Sequence, residues 1–308
     1  MKIFRCLLVA WLTIFDGISY AQNLVPWDGG GGYARNTYQW PLTNLGTADI
    51  LYLDGVEQSE EPGGSYDLKW RLVDCAGIQV GMADFGGTHE SIGRGILVGG
   101  NGLQGVAQNA QITTWEIDGR GGDYALNVAT AITNFVDLGV NVINLPWGIG
   151  TWSDDLYNAC SYAAGHGVII CCAVPDSSVD VDSTPDYPSS FGFWNVISAT
   201  DVDRRGEIYA IESASGFGQA VIGAPGRCVV GCDTGTGLVY GTGTSYACAH
   251  LSGVVAELLA EYPTMPAYVA ANVVRRSVIP GNSYISGNLV MPRHPTFVGN
   301  PPANPIIQ

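Results

Sequence analysis

The stretch Gly241-Thr-Gly-Thr-Ser245-Tyr-Ala-Cys-Ala-His250-Leu-Ser-Gly253, which runs into the apolar segment 254–262, decides how this chain folds. It predicts a glycine-rich turn that opens an apolar helix, and small residues early in that helix allow another element to approach closely. Ser245 falls at the predicted helix start, where unpaired N–H groups and the positive end of the helix dipole collect. Such a serine either caps the helix or attacks a carbonyl while its own N–H holds the oxyanion.

Apolar strand patterns alternate with helical patterns on both sides of this stretch. The main predicted strands are 50–56, 111–117, 140–145, 167–174, 194–199 and 220–224, and the other predicted helices are 124–138, 156–164 and 267–276. Residues 84–89 are predicted to form a loop that leads into a small-residue segment, 90–100. This alternation predicts an α/β fold with a mostly parallel central sheet and helices on both faces.

Sites in parallel sheets lie beyond the carboxyl ends of the strands. Asp54 and Asp176 follow predicted strands directly, and His89 follows a loop. We therefore expect polar side chains to converge at this edge of the sheet.

The first 21 residues have the pattern of a secretory signal. Lys2 and Arg5 precede a short apolar run, and Ser19-Tyr-Ala21 has the form of a cleavage site. The run is too short to span a bilayer, and no later segment is long and apolar enough to do so. We expect an exported, soluble protein without a membrane anchor, with one domain over 22–285 and a tail rich in Pro and Asn over 286–308.

Composition limits the possible partners and metal sites. The chain has a net charge of −15 and loses further positive charge with the signal, which argues against a nucleic-acid partner. Of 8 cysteines, Cys6 leaves with the signal, and the odd number that remains leaves at least one unpaired within the chain. Cys171 and Cys172 lie in an apolar run and are predicted to be buried small hydrophobes. No cysteine spacing has a good zinc pattern.

Several sequence blocks resemble those of subtilisin-like serine proteases, and they occur in that family's order. They are Asn23-Leu-Val-Pro-Trp27, Gly105-Val-Ala-Gln-Asn-Ala110, Val142-Ile-Asn-Leu-Pro-Trp-Gly148, Ala224-Pro-Gly226 and the serine stretch itself. The resemblance covers nearly all of residues 23–280 and is specific because the blocks agree in context. It implies the three-layer subtilisin-like fold and an Asp-His-Ser triad in which Ser245 is the nucleophile.

The resemblance leaves the other two members of the triad open. Asp54 matches the family's strand-Asp-x-Gly-Val pattern without the residue between Asp and Gly, and Asp74 matches it with one residue extra. We prefer Asp54 because its separation from His89 is similar to that in the family. Two alignments with the family's histidine motif are possible. The one that needs no insertion makes His89 the base, whereas the other puts Gly86 at the base position and implies an inactive protein.

The chain departs from the family pattern around the substrate. Asp176 stands where the family has an asparagine that donates to the oxyanion, and an ionised carboxylate would repel the developing negative charge. Pro146 replaces a serine in the substrate groove, where Trp147 and Gly148 follow it. Val221 replaces a calcium-binding aspartate, so the resemblance gives no support for calcium there. No cofactor is required; the acids Asp176, Asp180, Asp182 and Asp186 could bind a structural calcium ion, but a solvated loop is the favoured interpretation.

These residues give three hypotheses. The leading one is a secreted, monomeric serine endopeptidase that cleaves peptides or proteins through an acyl-enzyme. In it Ser245 is the nucleophile, Asp54 orients His89, and the Ser245 N–H and Asp176 lie at the oxyanion. The second is a pseudoprotease that binds peptides or partners, motivated by Asp176, Pro146 and the absence of a recognisable propeptide after Ala21. The third is an inert exported protein held by disulfides.

Overall fold

A computed structural model of the protein describes residues 75–101, 103–117, 123–202, 208, 213–216, 221–276, 278–279 and 287–289. The predicted signal at 1–21 and the predicted strand at 50–56 lie outside these residues. The strands of the described part are β1 (Gln79–Asp84), β2 (Gly99–Gly100), β3 (Leu103–Gln104), β4 (Gln111–Glu116), β5 (Val142–Leu145), β6 (Ile169–Ala173), β7 (Val196–Val202), β8 (Ile222–Pro225), β9 (Val229–Cys232), β10 (Leu238–Gly241), β11 (Val278–Ile279) and β12 (Gly287–Leu289).

Most of these strands form one twisted sheet. Within the described residues it has eight strands in the order β11-β12-β8-β7-β6-β5-β1-β4, and every neighbouring pair is parallel except β11 with β12. Two antiparallel hairpins, β2-β3 and β9-β10, stand apart from it. Strand β12 lies just beyond the predicted domain end at 285, yet it pairs in parallel with β8.

The helices are α1 (Gly87–Val98), α2 (Tyr124–Asp137), α3 (Asp154–Gly165), α4 (Thr244–Glu261) and α5 (Ala267–Arg276). Side-chain caps explain where two of them begin. Asp123 accepts hydrogen bonds from the N–H groups of Ala125 and Leu126 at the start of α2, and Ser153 accepts one from Leu156 in α3. The predicted helices at 124–138, 156–164 and 267–276 are confirmed. None of the helices in the described part is long and apolar enough to cross a membrane.

Two hydrophobic clusters lie on opposite faces of the sheet. One joins α4 and α5 to residues such as Val142, Ile169 and Ala199, and the other joins α2 and α3 to residues such as Ile143 and Ile170. Consecutive strand residues thus serve opposite faces, as the period of a strand requires. The sheet is covered on both sides, which confirms the predicted three-layer α/β fold.

Strand β1 and helix α1 were not predicted. Residues 84–89 were expected to form a loop before a small-residue segment, whereas the structure has β1 ending at Asp84 and α1 beginning at Gly87. Gly81 interrupts the apolar pattern of β1, and its missing side chain makes room for the ring of Phe135, since a Cβ there would lie 2.5 Å from the Phe135 Cγ atom. The strand was not recognised because the packing of α2 on β1 requires a glycine, which interrupts the apolar pattern.

The sheet order places a site at the end of β1. From β1 the chain passes to β4 on one side of it and then to β5 on the other, so β1 is the point where the winding direction reverses. Ligands of such sheets bind in the crevice beyond the carboxyl ends of the strands at this point. Asp84 ends β1, and the segments that follow β5 and β6 lie at the same edge.

Candidate active site

A very short turn joins β1 to α1. Only Phe85 and Gly86 separate Asp84 from the helix, and both Gly86 and Gly87 have positive φ angles, 78° and 63°. Residues other than glycine rarely adopt positive φ angles, so the two glycines make the turn possible. The turn brings His89, the third residue of α1, back over the end of β1.

The His89 ring is bonded to the Asp84 carboxylate. Nδ1 of His89 lies 2.7 Å from Oδ1 of Asp84, which also accepts a hydrogen bond from the Phe85 N–H at 2.6 Å. Asp84 is buried, whereas the His89 side chain is 31% exposed. Burial by itself lowers the pKa of His89, but the hydrogen bond and charge of Asp84, with the charge of Asp176, raise that pKa above its usual value. With Nδ1 bonded to the carboxylate, Nε2 is the nitrogen left to accept a proton.

Ser245 is the second residue of α4, and the start of this helix is fixed on both sides. The Gly243 N–H donates to the Gly226 carbonyl at 2.9 Å, and the Thr244 hydroxyl donates to the Val174 carbonyl at 2.6 Å. The Ser245 N–H belongs to the first turn, where N–H groups have no carbonyl within the helix to bind. Its position suits the stabilisation of an anion.

The Ser245 hydroxyl is held by the segment that follows β5, and the residue after Ser245 contacts His89. Its Oγ donates a hydrogen bond to the Pro146 carbonyl at 3.2 Å, so its one proton is directed to the segment that follows β5. The neighbouring Tyr246 ring packs on the His89 ring, with 5.5 Å between the ring centroids. Burial, followed by the charges of Asp84 and Asp176, raises the pKa of Tyr246, which keeps its hydroxyl neutral. The contact of Tyr246 with His89 therefore places the first turn of α4, which carries Ser245, at the Asp84–His89 pair.

Asp176 follows β6 and lies at the start of the same helix. Its Oδ1 accepts a hydrogen bond from the Thr244 N–H at 2.7 Å, and its side chain is exposed. A carboxylate in this position stabilises the positive end of α4. The residue predicted to lie at the oxyanion is thus next to Ser245, where it acts as a hydrogen-bond acceptor.

An open groove of about 450 Å³ runs past Ser245. Pro146, Trp147 and Gly148, the predicted groove residues, line it together with Asp176 and Asp186. Trp147 is largely buried in the core cluster that contains residues of α2 and α3, so this part of the groove wall is held by the core.

Among the described residues, the acid that contacts His89 is Asp84, which the sequence analysis did not consider. Asp54 and Asp74 both lie outside the described residues, and the carboxylate on the His89 ring belongs to Asp84. A usable signal was present, because Val80-Gly-Met-Ala-Asp84-Phe-Gly86 has the form of a strand followed by Asp-x-Gly. Asp84 was not considered because only five residues separate it from His89, far fewer than the family's usual separation.

Gly86, the alternative position for the base, has its Cβ position next to the side chain of Glu116. It immediately precedes α1, and a Cβ atom there would lie 3.4 Å from a carboxylate oxygen of Glu116. Two further histidines have ring contacts within helices: His250 Nδ1 lies 2.9 Å from the Tyr246 carbonyl oxygen, and His166 Nδ1 lies 2.9 Å from that of Tyr162. His294 lies outside the described residues.

Val221 and the two neighbouring cysteines of β6 are buried apolar residues in the structure. Val221 is fully buried in an apolar cluster with Val174 and Val181. Cys171 and Cys172 are also fully buried, and burial raises the pKa of each thiol to about 12. They are buried hydrophobes, as predicted. Within the described ranges, no three His, Cys, Asp or Glu side chains are grouped closely enough to hold a metal ion.

Known proteins with similar sequences are serine proteases. The chain is 33% identical to the thermophilic serine proteinase of Bacillus sp. (strain AK1) over 162 residues, which are 52% of this chain and 38% of that protein. It is 29% identical to fervidolysin of Fervidobacterium pennivorans over 59% of this chain and 30% of that protein. It is 27% identical to a subtilisin of Bacillus sp. (strain TA39) over 88% of this chain and 69% of that protein. The chain thus spans only about a third of the length of the first two relatives.

Solved structures show the same fold at low sequence identity. The self-cleaved protease domain of PatA superposes with a TM-score of 0.63 at 21% identity, over 71% of this chain and 95% of that domain. The nisin leader peptidase NisP from Lactococcus lactis superposes with a TM-score of 0.59 at 18% identity, over 68% of this chain and 84% of that one. The sequence profile of the subtilase family matches residues 75–290, which include the whole site described above. The chain belongs to the subtilase family.

Proposed function

We propose that this chain is a secreted serine endopeptidase in which Ser245 is the nucleophile, His89 is the general base and acid, and Asp84 orients His89. The observation that carries the proposal is the hydrogen bond between His89 and Asp84, with the His89 ring packed on Tyr246, the residue that follows Ser245 in the first turn of α4. Asp84 thereby takes the role that the sequence analysis gave to Asp54. Membership of the subtilase family supports peptides or proteins as the substrates.

The proposed reaction begins with a rotation of the Ser245 side chain. Its hydroxyl leaves the Pro146 carbonyl and turns to Nε2 of His89, which takes the proton as Oγ attacks the substrate carbonyl carbon. The tetrahedral intermediate collapses when the peptide C–N bond breaks and His89 gives the proton to the leaving amine. Water, activated by His89 in the same way, then hydrolyses the acyl-enzyme and restores Ser245.

Two charges around His89 support this cycle. The imidazolium that forms is stabilised by the Asp84 carboxylate and by the more distant Asp176, the two negative charges that already raise its pKa. The oxyanion is stabilised by the Ser245 N–H. Asp176 lies at the same place, but as a carboxylate it opposes the oxyanion and favours the imidazolium.

Labelling with a fluorophosphonate probe tests the proposal directly, because the probe reacts with an activated serine. We expect the purified protein to be labelled, and the Ser245→Ala and His89→Ala variants to remain unlabelled. Absence of labelling in wild-type protein whose circular dichroism shows a folded α/β domain would favour the pseudoprotease hypothesis instead.

Export, oligomeric state and cofactor need are parts of the proposal that rest on the sequence. N-terminal sequencing of the protein from a culture medium is expected to show cleavage after Ala21, and light scattering is expected to give the mass of a monomer. Chelation by EDTA is expected to leave the initial rate unchanged, because the proposed chemistry uses side chains alone.

A further inference from the structure

The groove that contains Ser245 also contains a buried carboxylate with an unused oxygen. Asp186 is only 4% exposed, and among the described residues its Oδ2 atom is buried without a hydrogen-bond partner. Buried polar atoms normally have a partner, and removing one partner from a buried charge is strongly destabilising. Oδ2 of Asp186 can therefore accept a hydrogen bond from a donor that the described residues do not supply.

The protein fixes the backbone of Asp186 and leaves its carboxylate in the groove wall. The Asp186 N–H donates to the Ser190 hydroxyl at 3.2 Å, and its carbonyl accepts from the Ser189 hydroxyl at 2.7 Å and from the Ser190 N–H at 2.8 Å. The next residue, Tyr187, exchanges two backbone hydrogen bonds with Ile149, at 2.7 and 2.8 Å. The loop is thus bonded to the segment that follows β5.

Gly148 is the residue that gives the carboxylate its room. A Cβ atom on Gly148 would lie 2.2 Å from Oδ2 and 3.1 Å from Oδ1 of Asp186, so any side chain there would displace the carboxylate. Both residues line the groove. The carboxylate is therefore packed directly against the backbone of Gly148.

The same segment relates Asp186 to the nucleophile. The Ser245 hydroxyl is bonded to the Pro146 carbonyl, and Gly148 follows Pro146 by two residues, a span of at most about 7 Å of extended chain. A substrate residue whose carbonyl is next to Ser245 can reach Asp186 with a long side chain. Lysine and arginine have both the stem and the donors for this.

The charged groups in the groove favour the binding of a positively charged side chain at Asp186. Burial raises the pKa of Asp186 to about 7, and the hydrogen bond with Ser189 opposes the shift without cancelling it. The titratable groups nearby are Tyr187 and the neutral thiol of Cys172 on β6, and Asp176 lies in the same groove. Among the described residues that line the groove, none is lysine or arginine.

We propose that Asp186 selects substrates with a lysine or arginine at the residue whose carbonyl Ser245 attacks. The charged side chain enters the groove past Gly148 and donates to Oδ2 of Asp186. This inference rests on the proposed function, because it names the substrate class of the same site.

Peptide pairs that differ in one side chain test the selection. We expect kcat/KM to be about 10²-fold higher for an arginine peptide than for its citrulline counterpart, which has the same shape without the charge. The Asp186→Asn variant should bring the two within a few-fold of each other. Asp182→Asn, an exposed acid in the same loop, is the matched control and should keep the wild-type ratio.

A binding measurement separates this inference from the proposed function. In the Ser245→Ala variant, which cannot cleave, benzamidine should bind in the groove, more tightly as the pH rises through about 7, and Asp186→Asn should abolish that binding. Loss of fluorophosphonate labelling in wild-type protein would overturn the proposed function while the benzamidine result still stands. Equal cleavage of arginine and citrulline peptides, or benzamidine binding that survives Asp186→Asn, would overturn the selection. If the Asp186→Asn variant does not fold, the ratio of kcat/KM for the arginine and citrulline peptides in wild-type protein tests the selection by itself.

Discussion

Nδ1 of His89 lies 2.7 Å from Oδ1 of Asp84, although only five residues of sequence separate the two. The contact depends on a strand that ends at Asp84 and a helix that begins three residues later. A carboxylate bonded to Nδ1 holds the ring in one tautomer and directs Nε2 away from itself. The short turn from β1 to α1 therefore builds two thirds of the proposed triad.

The Asp84→Asn substitution should remove most of the activity and leave the fold in place. An amide in this position no longer fixes the required tautomer of His89, and the comparable change in other serine proteases lowers kcat about 10⁴-fold. We expect a similar loss in a peptide hydrolysis assay. The matched variant is Asp54→Asn, which should retain activity; if Asp54→Asn is the inactive one, Asp54 is the orienting acid and the Asp84 contact has another role.

The pH dependence of hydrolysis should show that the pKa of His89 is raised. Only neutral His89 accepts the Ser245 proton, so kcat/KM should fall as the pH decreases through a value above 6.5. The stability that comes from charged His89 has the opposite trend: it is fully present below about pH 6.5 and is lost as the pH rises through the raised pKa. The assay should use a peptide with norleucine at the cleaved residue, because the binding of an uncharged side chain does not depend on the ionisation of Asp186. An inflection below pH 6 would contradict this prediction.

Much of the fold could be predicted because its elements carry their own local signals. Strands β5 to β8 are apolar runs buried on both faces, and α5 begins and ends where the helical spacing indicated, at Ala267 and Arg276. The position of Ser245 at the start of α4 follows from the glycine-rich turn and the apolar residues behind it. In each case the signal lies within one element.

The parts that could not be predicted depend on contacts between distant elements. Strand β1 has a glycine where the Phe135 ring of α2 must fit, and nothing near Gly81 in the sequence indicates that ring. The importance of Asp186 depends likewise on its approach to Gly148, which comes from the pairing of Tyr187 with Ile149. The sequence contains both residues but not the distance between them.

Gly253 in α4 should tolerate no side chain, as the small residues of this helix suggested. A Cβ atom there would lie 2.6 Å from the Cβ atom of Val106. Alanine favours a helix over glycine by about 1 kcal/mol, but overpacking a core costs about 1–3 kcal/mol, so Gly253→Ala should lower the free energy of unfolding. Urea denaturation measures this change.

Two further variants show whether the close contact is the cause. Val106→Ala should relieve part of the loss when it is combined with Gly253→Ala, because it removes the two methyl groups that would lie 2.8 and 3.5 Å from the new Cβ atom. The relief is partial because the Cβ atom of residue 106, at 2.6 Å, remains. Gly165→Ala, at the end of α3, is the control, since nothing lies within 4 Å of its Cβ position, and it should be neutral or slightly stabilising. A Gly253→Ala protein as stable as wild type would mean that α4 and the segment around Val106 can move apart.

The Asp176→Asn substitution should make the protein a faster enzyme. The asparagine oxygen can still accept the hydrogen bond from the Thr244 N–H, while its NH₂ group donates to the oxyanion that the carboxylate repels. Since one such donor is worth about 10²–10³ in rate, we expect kcat to rise by about 10²-fold. The substitution also removes a charge that raises the pKa of His89, so the inflection in the pH profile should move to lower pH. Asp176→Ala is the control, because it provides neither the acceptor nor the donor and should show the pH shift without the gain in kcat. A fall in kcat on Asp176→Asn would instead assign the carboxylate a role in stabilising the imidazolium that outweighs its repulsion of the oxyanion.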